Sequence, residues 1–164
     1  MMLRLVQSGL VACALSLAAT SAFAAGTSSG SSGGTSYGGN STATAETEDA
    51  AELFAEALEF NEKGWYRRAI SNLRTVTQME PKNADAWNEL GFAYRNVENY
   101  RQSARAYDRA LGIDPNHLGA LNYQGFMYIE TNKVGEAQSN LSMLQSLCGS
   151  CDEYTSLRDA LNAL

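Results

Sequence analysis

Two cysteines separated by two residues, Cys148 and Cys151 in the stretch SLCGSCDEYTSL, have the type and spacing to do chemistry. A Cys-x-x-Cys pair can hold a metal, exchange disulfides, anchor a haem or staple a turn. A haem hook requires histidine directly after the second cysteine, and residue 152 is Asp. A zinc site requires about two more ligands, and the one histidine, His117, lies far back in the chain. A thioredoxin-type site requires a strand–helix context. The chain has no period-2 runs of Val, Ile and Thr and no Asn-Gly or Asp-Gly hairpin signal. A local structural disulfide is the leading expectation, with redox sensing and then metal transfer as the alternatives. His117 has no Ser, Cys or carboxylate constellation near it in the sequence and reads as a solvent-facing residue at a helix start. No catalytic residue, metal or cofactor is assigned.

The N-terminus bears on the redox environment of that pair. Residues 1–24 carry one positive charge, Arg4, then an apolar run from Leu10 to Ala19, then small residues ending in Ala-Phe-Ala. This is the layout of a secretory signal peptide cut after Ala24. The run is shorter than the ~20 strongly apolar residues of a membrane span. Leu-Val-Ala-Cys at 10–13 offers a rival in which Cys13 is lipidated and anchors the chain to a membrane. The expected location is the periplasm, an oxidising compartment in which a thiol pair closes to a disulfide.

Residues 25–45, AGTSSGSSGGTSYGGNSTATA, are nearly all Gly, Ser, Thr and Ala. Such a stretch cannot bury enough apolar surface to offset its ordering entropy, and it reads as a flexible linker. The remaining 46–164 suits one domain with its own core. Apolar residues recur there at helical spacing throughout.

The two prolines, Pro81 and Pro115, are 34 residues apart, and other residues repeat in the same register. The segment 84–117 places Trp87, Leu90, Gly91, Tyr94, Tyr100, Tyr107, Ala110 and Pro115 in one pattern, with Ser103 at a position that prefers Ala. One period earlier, 50–83 repeats it at Ala57, Phe60, Gly64, Tyr66, Ala69, Leu73 and Pro81. One period later, 118–151 repeats it at Gly125, Tyr128, Ala137 and Leu141, with Leu144 in place of a small residue.

This pattern closely resembles the tetratricopeptide repeat. The resemblance implies an all-α, right-handed solenoid of three helix-turn-helix units. Small residues meet where paired helices cross: Ala57 with Ala69, Gly91 with Ser103, Gly125 with Ala137. Asn83 and Asn116 are expected to cap the first helices that follow them. The last stretch, 152–164, is expected to form a lid, with Asp152 at its cap and Tyr154, Leu157, Leu161 and Leu164 on its buried stripe.

In that family the first helices of successive units line a concave groove. Carried over residue by residue, the ligand-contacting positions give Phe54, Asn88 and Asn122, then Leu58, Phe92 and Phe126, then Asn61, Arg95 and Ile129. Asn88 with Asn122, and Phe92 with Phe126, repeat one unit apart. Amides that donate and accept beside aromatic seats suit an extended peptide. Phe54, Asn88 and Asn122 are not basic, so the family's clamp for a C-terminal carboxylate is not expected, and Arg95 alone could anchor one acidic group.

Charge marks a second surface. Residues 46–62 carry seven acids and no base, whereas 63–109 carry nine bases against five acids. Arg101, Arg105 and Arg109 fall at i, i+4, i+8 on one second helix, with Arg67 and Arg74 one unit earlier. They form either a solvated face or a docking face for anionic lipid or an acidic protein. The formal net charge of −6 argues against nucleic acid. The expected function is an exported adaptor, not an enzyme, that binds a protein or an extended peptide in its groove. Membrane-surface docking through the arginine face is the runner-up.

Overall fold

The computed structural model describes the backbone of residues 41–164 and the side chains of 49–164. The leader expected at 1–24 and the linker as far as residue 40 lie outside the described residues. Seven α-helices follow one another: α1 Ser41–Glu62, α2 Tyr66–Met79, α3 Ala84–Asn96, α4 Tyr100–Ile113, α5 Leu118–Glu130, α6 Val134–Cys148 and α7 Asp152–Asn162. No strand occurs among the described residues. Helices α1/α2, α3/α4 and α5/α6 form three antiparallel pairs, each on a 34-residue unit, and α7 packs on both α5 and α6. The expected solenoid of three units and a capping helix is the observed fold.

Helix α1 begins at Ser41, so residues 41–45, assigned from composition to the linker, are helical. The Gly run ends at Gly39, and the next glycine is Gly64. The Ala and Glu residues between them favour helix over the coil that Gly and Ser would keep.

The turns within the units repeat as the sequence does. Gly64, Glu98 and Asn132, spaced 34 apart, all take positive φ, at 73°, 59° and 58°. Each ends a first helix and lets the chain reverse. The period therefore extends to backbone conformation, even where the residue is not Gly.

Two apolar clusters build the core. Ala57, Ala69, Leu73, Val76, Ala86, Leu90, Ala93 and Ala106 join the first two pairs. Leu121, Leu144 and Leu157 join the third pair to α7. Leu144 stands where the other units carry a small residue, and it is fully buried because α7 supplies the surface over it. Gly91 and Gly125 are required by contact: a Cβ on Gly91 would lie 2.6 Å from the Tyr107 ring, and one on Gly125 would lie 2.5 Å from Leu157. Ser103 replaces Ala at no loss, because its hydroxyl donates to the Gly91 carbonyl at 2.9 Å. The Trp87 indole donates to the Pro81 carbonyl at 3.1 Å, tying one unit to the proline of the unit before.

One expected cap is present and two differ. Asn83 does cap α3, accepting from the Ala86 amide at 2.9 Å. At α5 the cap is His117, not Asn116: its Nδ1 accepts from the Ala120 amide at 3.3 Å. Imidazole nitrogen does there what a side-chain oxygen does elsewhere. At α7 the cap residue is Cys151, without a side-chain bond, and Asp152 is already the first helical residue. Tyr154, Leu157 and Leu161 pack on the second cluster. Leu164 is 71% exposed, because α7 ends at Asn162 before the stripe completes another turn.

Candidate functional site: a groove along the first helices

The first helices of all three units border one depression of about 260 Å³. It is lined by Leu58, Asn61 and Glu62 of α1, Glu89 and Phe92 of α3, and Tyr123 of α5. Helical spacing places Leu58, Asn61 and Glu62 on adjoining turns, as it does Glu89 and Phe92. Phe92 is central: its ring lies 6.0 Å from Tyr66, edge to face, and 5.1 Å from Tyr123. The floor is therefore aromatic, and the rim carries carboxylates.

The structure separates the sequence-derived residues into those that line this depression and those engaged elsewhere. Leu58, Asn61 and Phe92 line it. Asn61, Asn88 and Asn122, however, are only 6%, 5% and 4% exposed. Both amide protons of Asn122 go to α7, to the Glu153 carbonyl at 2.7 Å and the Ser156 hydroxyl at 2.9 Å. It fastens the lid, so its donors are not offered to a ligand. Asn88 donates to its neighbour Glu89 at 3.2 Å. Its 34-residue equivalence with Asn122 holds in sequence only, because α7 covers one of the pair and not the other. Ile129 packs on the second core cluster, and Phe54 on the first.

Arg95 is not free to anchor an acid. Its guanidinium pairs with Glu130 at 2.6 Å. It also lies 5.6 Å from the Phe92 ring centre and 5.8 Å from that of Phe126. Phe126 thus helps to hold Arg95, and stacking between two rings retains the side chain next to the groove. Beneath, Tyr107 is fully buried, and burial pushes its phenol well above the usual value, so it stays neutral.

Sequence reasoning passed over Glu89. Its carboxylate accepts from the Asn61 amide at 2.9 Å and from the Asn88 amide at 3.2 Å. Burial holds its pKa above the ordinary carboxylate value, and the nearby Asp85 acts in the same direction. The two amide donors and His117 act the other way. Burial, with Glu89 next, also raises Tyr123. The signal in the sequence was an acid one residue after a groove position, beside an Asn one unit earlier that could reach it.

At the other end of the third unit, the sulfurs of Cys148 and Cys151 are joined, and their Cα atoms lie 5.6 Å apart. They bracket Gly149, whose φ of 69° turns the chain from α6 into α7.

Residues 84–117 match the tetratricopeptide repeat family. The uncharacterized protein ycf37 of Guillardia theta is 30% identical over 95 residues, 55% of this chain and 53% of that protein. The human protein O-mannosyl-transferase TMTC3 is 29% identical over 58% of this chain and 10% of its own length. The chain thus spans about half of one relative and a tenth of the other. Among solved structures, the first tetratricopeptide domain of Spaghetti (RPAP3), bound to the HSP90 peptide SRMEEVD, superposes with a TM-score of 0.65 at 16% identity. It covers 71% of this chain and 92% of that one. The Yersinia enterocolitica type III secretion translocator chaperone SycD gives 0.66 at 17% identity, covering 77% and 100%. The chain carries a tetratricopeptide repeat at 84–117, and its fold is that of tetratricopeptide solenoid domains.

Proposed function

We propose that this chain is an adaptor that takes an extended segment of a partner protein into the groove along α1, α3 and α5. The carrying observation is the aromatic-floored depression that Leu58, Phe92 and Tyr123 form from three successive first helices. Stacked units present such seats in line, which matches the repeat of an extended backbone. The HSP90 peptide bound by the RPAP3 domain, and the name of SycD as a translocator chaperone, support protein binding as the use of this fold. The transferase name of the human relative belongs to a protein ten times this chain's match, and we assign no enzymatic activity. In this reading residues 1–24 direct export to the periplasm, with lipidation at Cys13 as the alternative, and the Cys148–Cys151 disulfide is structural.

A second surface has its own observation. Arg101, Arg105 and Arg109 are all exposed on α4, as are Arg67 and Arg74 on α2. None has a carboxylate within ion-pair distance among the described residues. Trp65, 47% exposed, carries Arg68 and Lys63 at 5.0 and 5.2 Å from its ring. An anionic membrane or an acidic protein would dock there. The test compares Phe92→Ala with Arg101, Arg105 and Arg109 changed together to Gln, in the full chain. Groove binding is lost with Phe92→Ala and depends weakly on salt. Loss only in the triple variant, with steep salt dependence, would transfer the function to the arginine face.

A further inference from the structure

The geometry points to a cation seat at Glu89: a lysine or arginine side chain of the bound segment enters the depression and pairs with this carboxylate against the Phe92 and Tyr123 rings. The inference rests on the groove reading above and adds the charge of what the groove accepts.

Four observations converge. First, each Glu89 oxygen takes one amide donor, from Asn61 at 2.9 Å and from Asn88 at 3.2 Å. A carboxylate offers about four acceptor positions, so one remains on each oxygen for an ammonium or a guanidinium fork. Second, Asn61 and Asn88 are more than nine-tenths buried, and their Oδ1 atoms have no hydrogen-bond partner. Their donors face the carboxylate at the expense of their acceptors, an arrangement that fixes Glu89 in place and favours its charged form against the effect of burial, without neutralising it. Third, the Phe92 and Tyr123 rings, 5.1 Å apart, border the same depression and present π-faces and edges to what enters. Fourth, the charge is one-sided. Glu62 and Glu89 line the depression, and Asp85 stands close enough to act on Glu89. The base on this side, Arg95, is already answered by Glu130. His117 places Nε2 3.1 Å from Asp85 Oδ1 and uses Nδ1 as a helix cap. An acidic peptide would meet repulsion here, and a basic one would find its charge offset.

The experiment selects peptides from a random phage-displayed library on the full chain, on Glu89→Gln and on Phe92→Ala. The expected result is enrichment of Lys or Arg flanked by apolar residues on the wild type. That preference should vanish on Glu89→Gln. A selected lysine peptide should lose affinity about 10- to 100-fold when its lysine becomes norleucine, and by a similar factor on Glu89→Gln. The two changes together should cost little more than either alone, because they remove the same pair. Peptides enriched without Lys or Arg, but lost on Phe92→Ala, would overturn the cation seat and leave the groove. Binding untouched by both variants, or no enrichment at all, would overturn both.

Discussion

The Asn61 amide on α1 donates to the Glu89 carboxylate on α3 across 2.9 Å, joining the first helices of two successive units through the lining of the groove. The bond connects fold and function. It helps to fix the spacing of two units, and it points a half-buried carboxylate at the space where a partner would lie.

Because burial raises the Glu89 pKa above 4.5, protonation favours the folded state. This stabilisation is fully present below pH 4.5 and is lost as pH rises through the folded-state value. The groups facing Glu89 are Asn61 and Glu62 of α1, Asp85 and Asn88 of α3, His117, and Tyr123 of α5. Glu89→Gln removes the titration. Its melting temperature relative to wild type should therefore climb from pH 4 upward and level off toward neutrality. Thermal unfolding at pH 3.5 to 8 checks this, and a difference that falls with pH would contradict it.

Asn122→Ala should destabilise the domain rather than simply weaken binding. It removes the two bonds that fasten α7 to α5, a loss of about 1–3 kcal/mol, while the Glu153 carbonyl keeps the Ser156 hydroxyl at 3.2 Å. Hydrogen exchange should show the α7 amides opening first. Unchanged protection of α7 would mean that the lid is held by Leu157 and its neighbours alone.

Gly91→Ala and Gly125→Ala each press a methyl into an occupied space, at about 1–3 kcal/mol for overpacking. Gly91→Ala should be the worse. It meets the rigid, fully buried Tyr107 ring, whereas the nearest atoms to Gly125 are the terminal methyls of Leu157. Denaturant titration of both variants orders them, and equal losses would show that α7 yields no more than α4.

A chain cut after Ala24, as proposed, should titrate with no free thiol. Replacing Cys148 and Cys151 by Ser should lower stability by about 1–2 kcal/mol, because only a short loop is closed. Peptide affinity should be unchanged, since the pair sits at the α6–α7 junction rather than in the groove. Loss of binding at unchanged stability would assign the cysteines a functional role.

The 34-residue frame was legible because it is written in packing requirements. Gly91 lies against Tyr107, Ala57 and Ala69 in one cluster, and Pro81 after α2, and each position restricts residue type strongly enough to show in one sequence. The groove was less legible because its positions restrict type weakly. Asn88 and Asn122 look equivalent, and only the presence of α7 over one of them separates an amide beside Glu89 from a clasp on the lid. Arg95 reads as a free base until Glu130, 35 residues on, is folded against it. Glu89 reads as a surface acid until the amide from the preceding unit arrives. Such pairings depend on long-range contact, which a period in the sequence does not encode.

The most direct measurement is backbone and side-chain amide NMR of the full chain, titrated with a peptide selected on it. Shifts should concentrate at Leu58, Glu62, Glu89, Phe92 and Tyr123, with Arg101, Arg105 and Arg109 unmoved. Shifts gathered on those three arginines, with the groove silent, would contradict groove binding.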